Sequence, residues 1–186
     1  TLLPALTPRI LMLSETLAAH LNRQINLEHY SANLYLQMSS WCDSQGLIGC
    51  TAFLRQHSDE EMGHMHRLFQ YVNASGRMAL IGEIKQPRQD YKDIADVFEA
   101  TNTHEQQITK SINGLASAAF SEGDFSTFNF LQWYVAEQHE EEVLFKHILD
   151  RIHLIGTEGT GLFMIDQELG KMAENASDAT PVAPAE

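Results

Sequence analysis

The chain has 186 residues, of which 44% are hydrophobic, and this fits one globular domain with a sizeable core. Its 12 Lys and Arg residues against 25 Asp and Glu residues give a net charge of −13, the wrong sign for neutralising nucleic-acid phosphates. Its two cysteines have neither a metal-binding nor a disulfide-framework spacing, which favours a reducing compartment. No run approaches the roughly 20 apolar residues of a membrane span. We therefore expect a cytoplasmic protein that binds neither nucleic acid nor membrane.

The first half of the chain predicts two helices and a long connection. After a proline-containing N-terminal arm at residues 1–13, Ser14 is a suitable N-cap for the first helix. Turn-forming residues at 43–46 end this helix, and a second helix is predicted to run to 74–76. Residues 77–93 lose the helical period, which indicates a connection longer than an ordinary helix–helix loop.

The second half predicts another helical pair. Apolar residues at alternating steps of three and four predict a third helix from Ile94 to Ala119. A turn at 121–124 follows, and the fourth helix is predicted to end before Gly156. Four long helices with two short turns and one long crossover are typical of an all-α four-helix bundle.

The C-terminal part is predicted in two pieces. Gly159 and Gly161 precede a short fifth helix, expected at Leu162–Met172. The tail at 174–186 is rich in Ala, Pro and acidic residues and is expected to be disordered. The domain itself is therefore expected to span residues 14–173.

Each of the four long helices carries polar residues that interrupt its apolar stripe, in chain order Glu28, Glu61 with His64, Glu105, and Gln138 with Glu141. In an antiparallel hairpin, residues equidistant from the turn lie at one height, as Glu28 with Glu61 and Glu105 with Gln138 do. Carboxylates buried at one level repel each other and lose hydration, so cations are expected to hold them together. Carboxylates and an imidazole suit iron or manganese, which predicts a di-metal site. The alternative is a metal-free buried polar network.

The chain resembles the non-haem bacterial ferritins from about Ser14 to Met172. Four segments carry the resemblance, at residues 26–30, 57–65, 105–109 and 128–142, and the last is long and specific. The resemblance implies a ferritin-like bundle and an iron-storage subunit with ferroxidase activity that oxidises Fe²⁺ with O₂ or peroxide. It further implies a homo-oligomeric shell of 24 subunits that stores ferric mineral.

Residue by residue, the resemblance implies a ferroxidase centre with a third iron site beside it. The first iron is expected at three residues, Glu28, Glu61 and His64. The second iron is expected to be bound by Glu61, which bridges the two irons, and by Glu105. Gln138 and Glu141 are expected nearby. The third iron is expected at four acidic residues, Glu60, Glu137, Glu140 and Glu141.

Tyr35 matches the redox-active tyrosine of that family. It lies seven residues, or two helical turns, after Glu28, and a tyrosine side chain angles back toward the helix N-terminus. We therefore expect its hydroxyl to reach toward the ligands of the first iron and to supply an extra electron. The alternative is a core tyrosine with a satisfied hydroxyl.

Two related protein classes are alternatives to this interpretation. Haem-containing bacterioferritins carry a methionine where this chain has Met62, but their fourth helix has Glu-x-x-His where this chain has Gln138-x-x-Glu141. We therefore expect no haem and a packing role for Met62. A DNA-protecting mini-ferritin would need a basic arm, whereas Arg9 is the single Lys or Arg before Arg23.

Two histidines near these motifs are expected to have structural roles. His57 lies on the apolar face of the second helix and is expected to be a satisfied core histidine. His139 lies off the inward stripe of the fourth helix and is expected at the surface.

Overall fold

The computed structural model describes residues 12–178. Within this range the chain forms five α-helices and no strand: α1 (Glu15–Ser44), α2 (Ile48–Ala74), α3 (Ile94–Ser121), α4 (Phe125–Ile155) and α5 (Gly159–Asp178). None of these helices is long and apolar enough to cross a membrane. The predicted all-α bundle with a fifth C-terminal helix is confirmed.

The helix starts follow the capping residues of the sequence. Three helices begin after a residue whose side chain accepts a hydrogen bond from the backbone amide three residues later, namely Ser14, Asp93 and Asp124. The two short turns contain Gly46 and Gly123, which have φ values of 75° and 71°, a conformation that disfavours a β-carbon. These caps and turns hold α1 against α2 and α3 against α4 as two helical hairpins.

The crossover between the two hairpins is extended and is anchored to α1. Asn22 accepts a hydrogen bond from the backbone amide of Leu80 at 2.8 Å. Asn26 donates to the Leu80 carbonyl at 2.9 Å and accepts from the Gly82 amide at 2.6 Å. The two asparagines thus satisfy backbone groups of a segment that has no helical hydrogen bonds of its own.

Two hydrophobic clusters fill the bundle. One contains Tyr35, Phe98 and Phe145, and the other contains Leu21 and Ile112. On each of the four long helices, the polar residues singled out above lie in sequence between the stretches that enter the two clusters. A polar layer therefore crosses the middle of the bundle between two apolar halves.

The fifth helix is longer than predicted. Its buried residues Ile165, Leu169 and Ala173 recur at steps of four, so one apolar stripe continues past the predicted end at Met172. Residues 174–178, which the sequence assigned to the tail, belong to α5. The rest of the predicted tail, and residues 1–11 of the arm, lie outside the described residues.

The fifth helix packs against the start of α2. The N-cap residue of α2, Leu47, makes no side-chain hydrogen bond, and Asp166 of α5 accepts one from the Cys50 amide at 2.9 Å instead. The two backbones approach closely, because a β-carbon on Gly49 would lie 1.8 Å from the Asp166 carbonyl oxygen. Asp166 thus serves α2 as a cap supplied from a distant part of the chain.

Candidate metal centre

The first part of the polar layer joins α1 to α2. Glu28, Glu61 and His64 each present one ligand atom, and these three atoms lie within 4.8 Å of one another. His64 Nδ1 is 3.3 Å from Glu61 Oε2. Glu28 is 1% exposed and Glu61 is 5% exposed, so both carboxyl groups face the bundle interior. The predicted meeting of these three residues is confirmed.

The second part of the layer joins α3 to α4. Gln138 Nε2 donates a hydrogen bond to Glu105 Oε2 at 2.5 Å, and both side chains are buried. The equal height predicted for this pair is therefore confirmed. The two parts adjoin, because Glu105 lies close enough to Glu61 for its charge to raise the pKa of Glu61. Only burial raises that pKa more.

Tyr35 contacts the second part of the layer. Its hydroxyl donates a hydrogen bond to Glu105 Oε1, so the expectation that it reaches the ligands of the first iron is wrong. The reason lies in the packing of its ring, which stacks on Phe145 and meets His57 and His104 edge-on. These neighbours from three other helices direct the hydroxyl across the bundle instead of back along α1.

Burial and mutual repulsion disfavour the charged form of these acids. Burial first, and then the Glu61 charge, raise the pKa of Glu28 well above its ordinary value. Burial also raises the pKa values of Glu61 and Glu105, although hydrogen bonds to Glu105 oppose the shift there. Burial and then the charges of Glu105 and Glu60 raise the pKa of Glu141 to about 9. A bound cation favours the carboxylate form and reverses each of these shifts.

Two buried oxygens are available to a cation. Glu28 Oε2 and Glu141 Oε2 have no hydrogen-bond partner among the described residues. Gln24 Nε2 fixes the other oxygen of Glu28 at 2.9 Å, and Ser111 in turn donates to Gln24 at 2.5 Å. Carboxylate oxygens with one imidazole are a donor set that iron accepts, so the residues fit that metal.

Gln24 and Ser111 were missed in the sequence. Gln24 had a usable signal, because a glutamine four residues before a helical glutamate lies on the same face and within hydrogen-bond reach. Ser111 is on α3 and meets Gln24 only through the packing of α3 on α1, which no local spacing reports.

A second group of possible ligands lies beside this centre. His57 Nδ1 is 3.2 Å from Glu60 Oε2 and 3.7 Å from Glu141 Oε1. One ligand atom of each residue lies within 4.8 Å of the other two. His57 is buried, as predicted, but its nitrogen faces two carboxylates and not the apolar core. The expectation of a purely structural core histidine did not anticipate this group.

An open cavity of about 460 Å³ gives access to this second group. All four acids expected at the third iron line the cavity, namely Glu60, Glu137, Glu140 and Glu141. Two of them, Glu60 and Glu141, share the group with His57, whereas Glu137 and Glu140 lie outside it. The cluster thus differs in composition from the carboxylate set that the sequence suggested.

Two residues have the positions predicted for structural roles. Met62 is half-buried and packs against the hydrophobic cluster that contains Leu21. His139 is exposed on α4. Both therefore stay outside the centre.

Comparison with known proteins identifies the family. A family model described as a ferritin-like domain matches residues 18–155. A probable bacterial non-heme ferritin-like protein of Haemophilus influenzae is 53% identical over 165 residues, which cover 89% of this chain and 100% of that protein. A bacterial non-heme ferritin of Campylobacter jejuni is 52% identical over 162 residues, which cover 87% and 97%.

Solved structures agree with this relationship. An open pore ferritin from the hyperthermophilic archaeon Archaeoglobus fulgidus superposes with a TM-score of 0.84 at 40% identity, covering 86% of this chain and 97% of that chain. The ferritin of Chlorobium tepidum superposes with a TM-score of 0.77 at 45% identity, covering 91% and 100%. Together with the five-helix fold and the carboxylate–histidine centre, these matches show that the chain belongs to the ferritin family and is an iron-storage ferritin of the bacterial non-haem group.

Proposed function

We propose that this ferritin is a ferroxidase, which binds two Fe²⁺ ions as substrate in the polar layer and oxidises them with O₂ or peroxide. The supporting observation is the convergence of Glu28, Glu61 and His64 beside the hydrogen-bonded pair Glu105 and Gln138. The first three residues are assigned to one iron. The pair is assigned, with Glu61 as the shared ligand and Glu141 nearby, to the second iron.

Positioning is the main contribution of the protein to this reaction. Two Fe²⁺ ions held side by side each give one electron to the same O₂ molecule, which with two protons yields two Fe³⁺ ions and hydrogen peroxide. Holding all the reactants in one site replaces an improbable encounter of several molecules. Anionic oxygens from Glu28, Glu61 and Glu105 stabilise Fe³⁺ more than Fe²⁺. The neutral amide of Gln138 binds less tightly, so we assign to it the side from which product leaves.

Tyr35 is assigned as the donor of an additional electron. A tyrosine that loses an electron must also release its hydroxyl proton, and the acceptor is Glu105 Oε1, to which that hydroxyl donates. Burial and the charge of Glu105 raise the pKa of Tyr35, so the proton stays on the hydroxyl until the electron leaves. The hydrogen bond to a proposed iron ligand is what supports this role over simple packing.

The proposal also covers a third iron site, the assembly of the subunits and the absence of haem. We assign a third iron to the acidic residues of the neighbouring cavity, Glu60, Glu137, Glu140 and Glu141. We assign the oxidised iron to a mineral inside a homo-oligomeric shell of 24 subunits. Contact between copies would cover apolar residues of α5 such as Phe163 and Met164, which are 63% and 50% exposed in the single chain. We propose no haem site.

Anaerobically prepared metal-free protein mixed with Fe²⁺ and aerated buffer in a stopped-flow instrument tests the proposal. We expect a fast phase that saturates at two Fe²⁺ per subunit, followed by slower turnover. An absorption spectrum of the same protein should lack the intense Soret band of haem. Oxidation no faster than in protein-free buffer would contradict the ferroxidase assignment, and near-stoichiometric haem would favour a bacterioferritin.

A further inference from the structure

The group of His57, Glu60 and Glu141 brings a nitrogen donor to the cavity beside the ferroxidase centre. We propose that His57 Nδ1 is a ligand of the cation bound in this cavity. The site would then be a mixed nitrogen–oxygen site that prefers Fe²⁺ or Zn²⁺ to Mg²⁺ or Ca²⁺. The inference deepens the third iron site of the proposed function and rests on it for the identity of the natural cation.

The distances suit a single cation. Bonds of about 2.1 Å around one tetrahedral ion place neighbouring ligand atoms roughly 3.4 Å apart. His57 Nδ1 is 3.2 Å from Glu60 Oε2 and 3.7 Å from Glu141 Oε1, on either side of that separation. The three donors therefore need only small side-chain movements to bind a common ion.

The ring of His57 is held in place by aromatic neighbours. Its centroid is 4.4 Å from that of Phe53, 5.2 Å from that of Phe145 and 6.4 Å from that of Tyr35. These apolar faces restrict the ring, and its Nδ1 atom faces the carboxylates. A donor fixed in this way loses little side-chain entropy when a cation binds.

Glu141 is assigned to both centres, and one of its two carboxylate oxygens is still free to bind a cation. Glu141 Oε1 faces His57, whereas Glu141 Oε2 is buried without a hydrogen-bond partner among the described residues. Glu60 is at the solvent side of the cavity, with 41% of its side chain exposed, so a cation can enter there. A metal-free explanation accounts for the contact of His57 with Glu60 but leaves the buried Glu141 oxygen unpaired.

The imidazole sets the expected class of cation. Imidazole nitrogen suits iron, zinc, copper and nickel, whereas sites made only of carboxylates and carbonyls suit magnesium, calcium and manganese. Oxygen ligands from Glu60 and Glu141 alone would show no strong preference for Zn²⁺ over Mg²⁺. A site that includes His57 should prefer Zn²⁺ to Mg²⁺. A histidine with a purely structural role would not produce that preference.

Anaerobic calorimetric titration of the intact, metal-free protein with Zn²⁺ tests the inference. We compare His57→Gln with a matched control, His139→Gln, which removes an exposed histidine of α4. The wild type and the control should bind one more Zn²⁺ per subunit than His57→Gln, or bind that ion at least tenfold more tightly. Titration with Mg²⁺ should not distinguish the three proteins. Equal Zn²⁺ number and affinity in His57→Gln would overturn the assignment.

Two further variants separate this inference from the proposed function and from misfolding. His64→Gln should weaken Zn²⁺ binding at the main centre and leave the ion assigned to His57 in place. If His64→Gln binds Zn²⁺ like the wild type while His57→Gln loses an ion, the main centre is misassigned and the cavity site stands. If His57→Gln fails to fold, Glu60→Gln removes a ligand at the solvent side without disturbing the core. Unchanged Zn²⁺ binding in Glu60→Gln would also overturn the inference.

Discussion

The Tyr35 hydroxyl donates a hydrogen bond to Glu105 Oε1, across the contact between α1 and α3. Both residues are fully buried, and Glu105 also accepts a hydrogen bond from Gln138. One carboxyl group therefore connects the tyrosine to the residues assigned to the second iron. If electrons leave Tyr35 during iron oxidation, this carboxyl is the proton acceptor already in contact with it.

Replacing Tyr35 by Phe should remove the extra electron and keep the ring packing. Loss of the hydrogen bond should cost about 1–2 kcal/mol of unfolding free energy. Rapid-freeze electron paramagnetic resonance of the wild type should show a transient tyrosyl radical after aerobic iron addition, and Tyr35→Phe should lack it and turn over more slowly after the first two irons. The control Tyr71→Phe loses a comparable hydrogen bond, to Thr127 at 2.8 Å, but should keep the radical. Identical radicals in wild type and Tyr35→Phe would leave Tyr35 a packing residue.

Replacing Glu61 should abolish fast oxidation without destroying the fold. Glu61 is the proposed shared ligand, so Glu61→Ala or the better-matched Glu61→Gln should slow the fast phase by about 100-fold or more, the scale on which lost positioning acts. The midpoint of thermal unfolding should not fall for Glu61→Gln, because one charge is removed from a self-repelling buried group. Stopped-flow absorbance and calorimetry measure the two effects. The exposed neighbour Asp59→Asn serves as the control, and a fast phase retained in Glu61→Gln would contradict the two-iron assignment.

Metal-free protein should lose stability as pH rises, and metal-loaded protein should not. Burial raises the pKa of Glu141 to about 9 from an ordinary value of 4.5, so between these pH values the folded chain holds a proton that the unfolded chain releases. This contribution is fully present below pH 4.5 and is lost as pH rises through 9. One unit of pKa is worth about 1.4 kcal/mol, so the unfolding midpoint of metal-free protein should fall by at least ~2 °C between neutral and mildly alkaline pH.

The matching experiment loads the protein with Zn²⁺, which binds deprotonated carboxylates and should abolish or reverse that slope. Scanning calorimetry at three pH values, with and without the metal, measures both trends. Glu141→Gln should flatten the metal-free curve. The same pH slope in both metal states would show that these acids are not the ligands.

Removing the carboxylate of Asp166 should loosen the contact between α5 and α2. Asp166 caps the first turn of α2 through the Cys50 amide, so Asp166→Ala should cost about 1 kcal/mol and Asp166→Asn less. Hydrogen–deuterium exchange should become faster in peptides that cover the start of α2. The control Glu168→Gln breaks an exposed ion pair with Arg151 and should change stability by at most about 1 kcal/mol. Unchanged exchange at the start of α2 in Asp166→Ala would show that packing alone holds α5.

The amino-acid sequence by itself determined the helices and the level of the polar layer. Both follow from local rules: the apolar period of 3.6 residues, the capping residues Ser14 and Asp93, and the positive-φ glycines of the short turns. Because a helix has a fixed rise and a hairpin is antiparallel, equal distance from a turn also predicted that Glu28 meets Glu61 and that Glu105 meets Gln138. The resemblance to the non-haem ferritins came from the segments of sequence that contain these polar residues.

The tertiary structure decided which neighbour each inward side chain contacts. Tyr35 was placed on the correct face, but rings from three other helices direct its hydroxyl to Glu105 and not toward the ligands of the first iron. His57 was predicted to be buried, yet its Nδ1 atom lies 3.7 Å from Glu141 Oε1 of α4. Spacing along one helix fixes which face of the helix a residue occupies. The packing of the neighbouring helices fixes which side chains that face contacts. That is why the polar layer and the pairs within each hairpin could be predicted from the sequence, whereas the contacts that Tyr35 and His57 make between the hairpins could not.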